Sequence, residues 1–119
     1  MKLIKLILTI LLITAIQPFA QATGPAWCKG KIKQYNVAAN GEVMIAADFR
    51  GSFFSVCNLN IDRQGVSPTT CAAWMVTIKA AMSTSSSLYI GMYYADIESC
   101  ATIPLYDQAP APASVMLLQ

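Results

Sequence analysis

The sequence predicts a mainly β fold with one helix, held by two disulfides. Three observations predict it. Turn signals at Asn40-Gly41 and Arg50-Gly51-Ser52 cut the first half into strand-length pieces with period-two alternation. One stretch, opening at Ser67, repeats its apolar residues at helical spacing. The chain of 119 residues contains four cysteines, an even count that in a short exported protein reads as two bridges.

Export is read from the N-terminus. Lys2 and Lys5 form a short positive region, residues 6–16 are apolar apart from Thr9 and Thr14, and Pro18 ends any helix. Ala20-Gln21-Ala22 then supplies the small-x-small pattern that signal peptidase cleaves. The expectation is a signal peptide over residues 1–22 and a single small disulfide-stabilised domain over 23–119. The apolar run is short for a membrane span, which needs about twenty residues; an uncleaved anchor is the alternative. Removing the leader takes Lys2 and Lys5 out of the eight basic residues, leaving six against six acids. A neutral domain offers no electrostatic footprint for nucleic acid or an anionic membrane. The chain has no histidine, which excludes histidine bases, triads and metal ligands together.

The elements follow in order. Residues 23–28 lead in as an ordered arm. Residues 29–37 read as a strand with Ile32, Tyr35 and Val37 as its bulk, and Asn40-Gly41 turns the chain. Residues 42–49 alternate, with Val43, Ile45, Ala47 and Phe49 on one face. After the turn at 50–52, residues 53–61 form a third strand. Gly65 lies in the next loop. Ser67-Pro68 then opens a helix, serine as N-cap and proline at the first helical position. It runs to about Met82, and Cys71, Trp74, Met75, Ile78, Ala81 and Met82 make one apolar face. Residues 83–87 break it. Residues 88–94 are apolar on both faces, as in a central strand. Residues 95–102 form a loop with Cys100, 104–112 are proline-rich and extended, and 114–118 make a last short strand.

This is an OB-like β-β-β-α-β(-β) order, with the helix between the third and fourth strands. The fold is expected to be a small barrel of that kind or an antiparallel sheet with one packed helix. In a barrel of this order the first and fourth strands are antiparallel neighbours. Cys28 precedes the first and Cys100 follows the fourth, while Cys57 and Cys71 flank the strand-to-helix connection. Cys28–Cys100 with Cys57–Cys71 is then the natural pairing, the two other connectivities remaining open.

One stretch carries a family resemblance. An aromatic strand with a cysteine (Phe53-Phe54-Ser55-Val56-Cys57) is followed by Cys71-Ala72, a helix with Trp74, and a hydrophobic strand with tyrosines (Leu88-Tyr89-Ile90-Gly91-Met92-Tyr93-Tyr94). In this sequence of elements the chain resembles the small B subunits of bacterial AB-type toxins, and more broadly small exported bacterial proteins. The toxin resemblance implies an OB-type fold, ring assembly and glycan binding. It carries over no sugar-binding residue.

Chemistry-bearing clusters are few. Asp96 and Glu98 form the one close acidic pair, and would be needed for a small hydrolase. Asn58, Asn60 and Asp62 offer oxygens to calcium, but the EF-hand spacing of glycine and glutamate is missing. No C-x-x-C favours zinc. No catalytic residue, metal or cofactor is expected. The aromatics Trp27, Tyr89, Tyr93 and Tyr106 are candidate binding residues, since exposed rings stack on sugars and anchor interfaces. Ala73, Val76 and Ala80, on a helix back whose one charge is Lys79, are candidate interface residues. The expectation is an exported, periplasmic or secreted, non-enzymatic binding module. Its expected partners are a glycan or protein ligand and further copies of itself, with no nucleic acid and no membrane after cleavage. A periplasmic structural or inhibitor protein is the alternative.

Overall fold

A computed structural model describes residues 24–83 and 87–119. The expected signal peptide and most of the serine-rich break at 83–87 lie outside the described residues. Among the described residues six strands form two antiparallel sheets of three strands each, accompanied by one α-helix. β1 (Gly24–Gly30), β5 (Tyr89–Ile97) and β6 (Ser114–Leu118) make one sheet in the order β1-β5-β6; β2 (Ile32–Val37), β3 (Glu42–Ala47) and β4 (Arg50–Asn58) make the other in chain order. α1 (Pro68–Ala81) connects the sheets and packs on β4, β5 and β6.

The first expected strand is in fact two. The lead-in arm and the start of that strand form β1, the rest forms β2, and the chain passes between sheets at Lys31. Asp48 holds this corner: its Oδ2 accepts from the Lys31 N–H at 3.0 Å, and its own N–H donates to the Lys31 carbonyl at 3.0 Å. The arm's composition, with Gly24 and Pro25, is poor for a strand taken alone. Its partner is β5, some sixty residues on, with Cys28 opposite Met92 and Gly24 opposite Ile97. The same pairing lengthens β5 past Tyr94 to Ile97, so Asp96 belongs to the strand rather than to a loop.

The hairpin between β3 and β4 turns at Asp48 and Phe49, with Ala47 opposite Arg50, two residues before the expected turn. β4 stops at Asn58, whose Oδ1 accepts from the N–H groups of Asn60 (2.8 Å) and Ile61 (3.2 Å). This side-chain turn ends the ladder three residues before its expected end. Gly41 holds φ +87°, and a Cβ there would meet Asn60 Nδ2 at 2.7 Å, so this turn requires glycine.

α1 starts as its sequence dictates. Ser67 caps it, Oγ accepting from the Thr70 N–H at 3.2 Å, and Pro68 occupies the first turn. Its face Cys71, Ile78 and Ala81 is buried, with Trp74, Met75 and Met82 packed around it. The core lies between the sheets and under this helix, and its largest buried side chains include Tyr94, Phe54, Ile45, Ile78, Ile90 and Met92. The two disulfides are Cys28–Cys100 and Cys57–Cys71.

Residues 103–113 close the molecule. The Tyr106 N–H donates to the Phe53 carbonyl and the Ser55 N–H to the Tyr106 carbonyl, both at 3.0 Å, a parallel bridge onto β4. Side chains from the loop before α1 bind the strap's backbone: Arg63 Nη2 donates to the Ala109 carbonyl at 2.6 Å, and Gln64 Oε1 accepts from the Ala111 N–H at 2.8 Å. The strap then enters β6. The element order is OB-like: one sheet pairs β6, β5 and β1, the other β2, β3 and β4, and the Lys31 corner and the strap's bridge to Phe54 join the two.

One core group carries a pH dependence. Tyr94 is buried and its hydroxyl has no hydrogen-bond partner among the described residues; the same is true of Arg63 Nη1. Burial pushes this phenol well above its ordinary value of 10.0, and the Arg63 charge opposes the rise only in part. The folded state thus keeps the proton that the unfolded chain releases above about pH 10. Stability from this group is full below that pH and is lost as pH rises toward the folded value. Urea midpoints at about pH 9 and about pH 11 are expected to fall more steeply in the native protein than in Tyr94→Phe. Equal slopes would refute the assignment.

Candidate recognition face

The outer face of the β1-β5-β6 sheet is built by strand alternation. Cys28, Ile90, Met92 and Tyr94 point into the core, and Val115 packs against it. Their neighbours Trp27, Lys29, Tyr89, Gly91, Tyr93, Met116 and Leu118 therefore share the opposite face. Register aligns them in rows: Trp27 beside Tyr93 and Ser114, then Lys29 beside Gly91 and Met116, then Tyr89 beside Leu118. The solvent face of an antiparallel sheet is ordinarily polar. Here it holds one charged residue among large apolar ones.

Trp27 is 56% exposed, and its ring meets Tyr93 with centroids 4.9 Å apart and planes tilted by 42°. Gly91 makes the hollow beside them. A Cβ at Gly91 would lie 2.8 Å from Leu118 Cδ1 and 3.0 Å from Met116 Cγ, so these two side chains lean across the glycine backbone. The result is a groove of about 590 Å³ lined by Trp27, Lys29, Gly91, Met116 and Leu118. A smaller hollow of about 240 Å³ adjoins it, sharing Lys29 and Leu118 and adding Tyr89 and Gln119. Tyr89 is braced from its side: the Lys31 ammonium sits 4.5 Å over its ring and donates to the Leu88 carbonyl at 2.5 Å.

Three of the four candidate binding residues thus come together on one face. Tyr106 does not: it stands on the strap beside β4, 57% exposed, with φ +52°. Of the candidate interface residues, Ala73 and Val76 are exposed, Val76 at 70%, and Ala80 is half-buried. The strap does not cover them. Asp96 and Glu98 are exposed and line neither hollow. Asn58 spends its oxygen on backbone groups, while Asn60 and Asp62 face solvent. Among the described residues no group of three acids or cysteines is placed to hold a metal ion, and no helix is long and apolar enough to cross a membrane.

Sequence reasoning missed Lys29, Gly91, Met116 and Leu118. A signal existed for Gly91, the one residue without a side chain in a run of bulky ones. Fold and face together define a small, doubly disulfide-bonded, two-sheet β domain with an apolar-aromatic surface on one sheet. Set against protein-family models, curated proteins and solved structures, the chain matches none.

Proposed function

We propose that the chain is an exported, non-enzymatic binding module that recognises its ligand through the outer face of β1-β5-β6 and works as a homo-oligomer. The observation that carries this reading is the exposed Trp27 ring, in contact with half-buried Tyr93, beside an apolar groove. Exposed tryptophan and tyrosine dominate the energetics of recognition surfaces, and an apolar concave patch marks a contact site. The two disulfides support a non-cytoplasmic location, which the expected signal peptide would supply, in the periplasm or outside the cell. A protein ligand suits the groove, which has few hydrogen-bonding side chains. A glycan is the second reading, favoured by the exposed indole of Trp27. Contact between copies is supported by the exposed small-residue face around Ala73 and Val76.

The test is a screen of the mature protein against peptide, protein and glycan arrays, beside Trp27→Ala. Ligands that the native protein holds and the variant loses, with an unchanged thermal midpoint, are the expected result. Ligands held equally by both would remove this face from recognition. Light scattering on the same samples reads the assembly, and a strict monomer would overturn the oligomer.

A further inference from the structure

We propose that the groove over Gly91 takes an acidic segment of a partner protein, a carboxylate meeting Lys29 while an apolar side chain fills the space between Trp27 and Met116. The inference rests on the reading of this face as the recognition surface. Lys29 supplies the charge. Among the described residues it is the one charged side chain lining the groove, and it lines the adjoining hollow as well. Lys31, two positions on, is committed to the Leu88 carbonyl and the Tyr89 ring. The Lys29 ammonium has no hydrogen bond or ion pair with any described residue. A cation standing among apolar side chains attracts an anion more strongly than one in open water, because the walls lower the local dielectric.

The rest of the groove selects what carries the anion. Trp27, Met116 and Leu118 are side chains of a protein-binding surface, tryptophan and methionine being enriched there. No side-chain amide or carboxylate lines the groove, so the many hydroxyls of a sugar would lose water for few side-chain partners, the Lys29 ammonium and the Trp27 indole N–H. A nucleic acid needs several cations along its phosphates. An extended peptide fits. Trp27 and Lys29 are two residues apart on β1, and residues i and i+2 of an extended ligand share one side at the same spacing. An apolar residue two positions from an acid then meets both at once.

Fluorescence polarisation with labelled heptapeptides tests this. One series carries glutamate two residues from leucine or phenylalanine and is otherwise neutral; the other replaces glutamate by glutamine. The glutamate series is expected to bind about tenfold tighter, with the preference shrinking as salt rises. Lys29→Met is expected to bind both series alike, and Trp27→Ala to lose both. Lys29 is exposed, so an unchanged thermal midpoint verifies folding of the variant. Binding of neither series, equal binding of both by the native protein, or a preference surviving in Lys29→Met would overturn the acidic segment. Equal binding that Trp27→Ala still abolishes would overturn it while leaving the recognition face standing. Glycan binding lost in Lys29→Met would reassign the groove to a sugar, and self-association lost in Lys29→Met would reassign it to a second copy.

Discussion

Replacing Cys28 and Cys100 together by serine is expected to lower unfolding stability by about 4 kcal/mol, and replacing Cys57 and Cys71 by about 3 kcal/mol. The order follows from the loops the bridges close. Cys28 and Cys100 are 72 residues apart, Cys57 and Cys71 only 14, and the longer loop removes more freedom from the unfolded chain. The Cys28–Cys100 bridge also ties β1 to the short 3-10 turn Cys100–Thr102 that follows its partner strand β5. Domains of this size hold about 5–15 kcal/mol in total, so either loss is a large share of the whole. Urea unfolding of the native protein and both double variants, under non-reducing conditions, reads the difference. A larger loss in Cys57→Ser/Cys71→Ser would contradict the loop argument.

Phe54→Ala is expected to cost about 4 kcal/mol, through lost burial and the cavity left behind. Phe54 is fully buried on β4, with its ring 5.9 Å from that of Phe49. Its position makes the loss more than local. The flanking backbone groups, the Phe53 carbonyl and Ser55 N–H, make the bridge to Tyr106 that holds the strap on β4. A cavity here loosens the strap as well as the core. Val76→Ala is the contrast: the side chain is 70% exposed, and its removal is expected to change stability by about 0.5 kcal/mol or less. Urea midpoints measure both, and comparable losses would show that the core is not organised around Phe54.

Local signals were legible wherever one residue's own chemistry decides the backbone. Ser67 and Pro68 start the helix because a hydroxyl can accept from the first-turn N–H groups and proline lacks the donor that would go unused. Asn40-Gly41 turns because glycine tolerates positive φ. Elsewhere local reading faltered for a stated reason. The turn at Asp48 and Phe49 carries no glycine, whereas Gly51 nearby drew the expected turn two residues late. The arm at Gly24–Gly30 has Trp27 as its one strong strand former and becomes a strand through β5.

The candidate site divides in the same way. Trp27, Tyr89 and Tyr93 were visible as surplus aromatics, and alternation alone set Tyr89 and Tyr93 on one strand face. Nothing local related them to Trp27 or separated Tyr106, because β1 and β5 meet across more than sixty residues and the strap carries Tyr106 to β4. Gly91 shows the limit: its φ is not in the left-handed region, and what a side chain there would displace is Met116 and Leu118, which β6 brings over it. By itself the sequence determined a β-rich domain with a helix and that helix's first residue, and its element order favoured, without fixing, the cysteine pairing the structure holds. Only the tertiary structure decided the split at Lys31, the strap that bridges onto β4, and the gathering of Trp27, Lys29 and Gly91 on one face. Turns and caps are settled by neighbouring residues, whereas register between distant strands is settled by which pairing buries the most side chains at once.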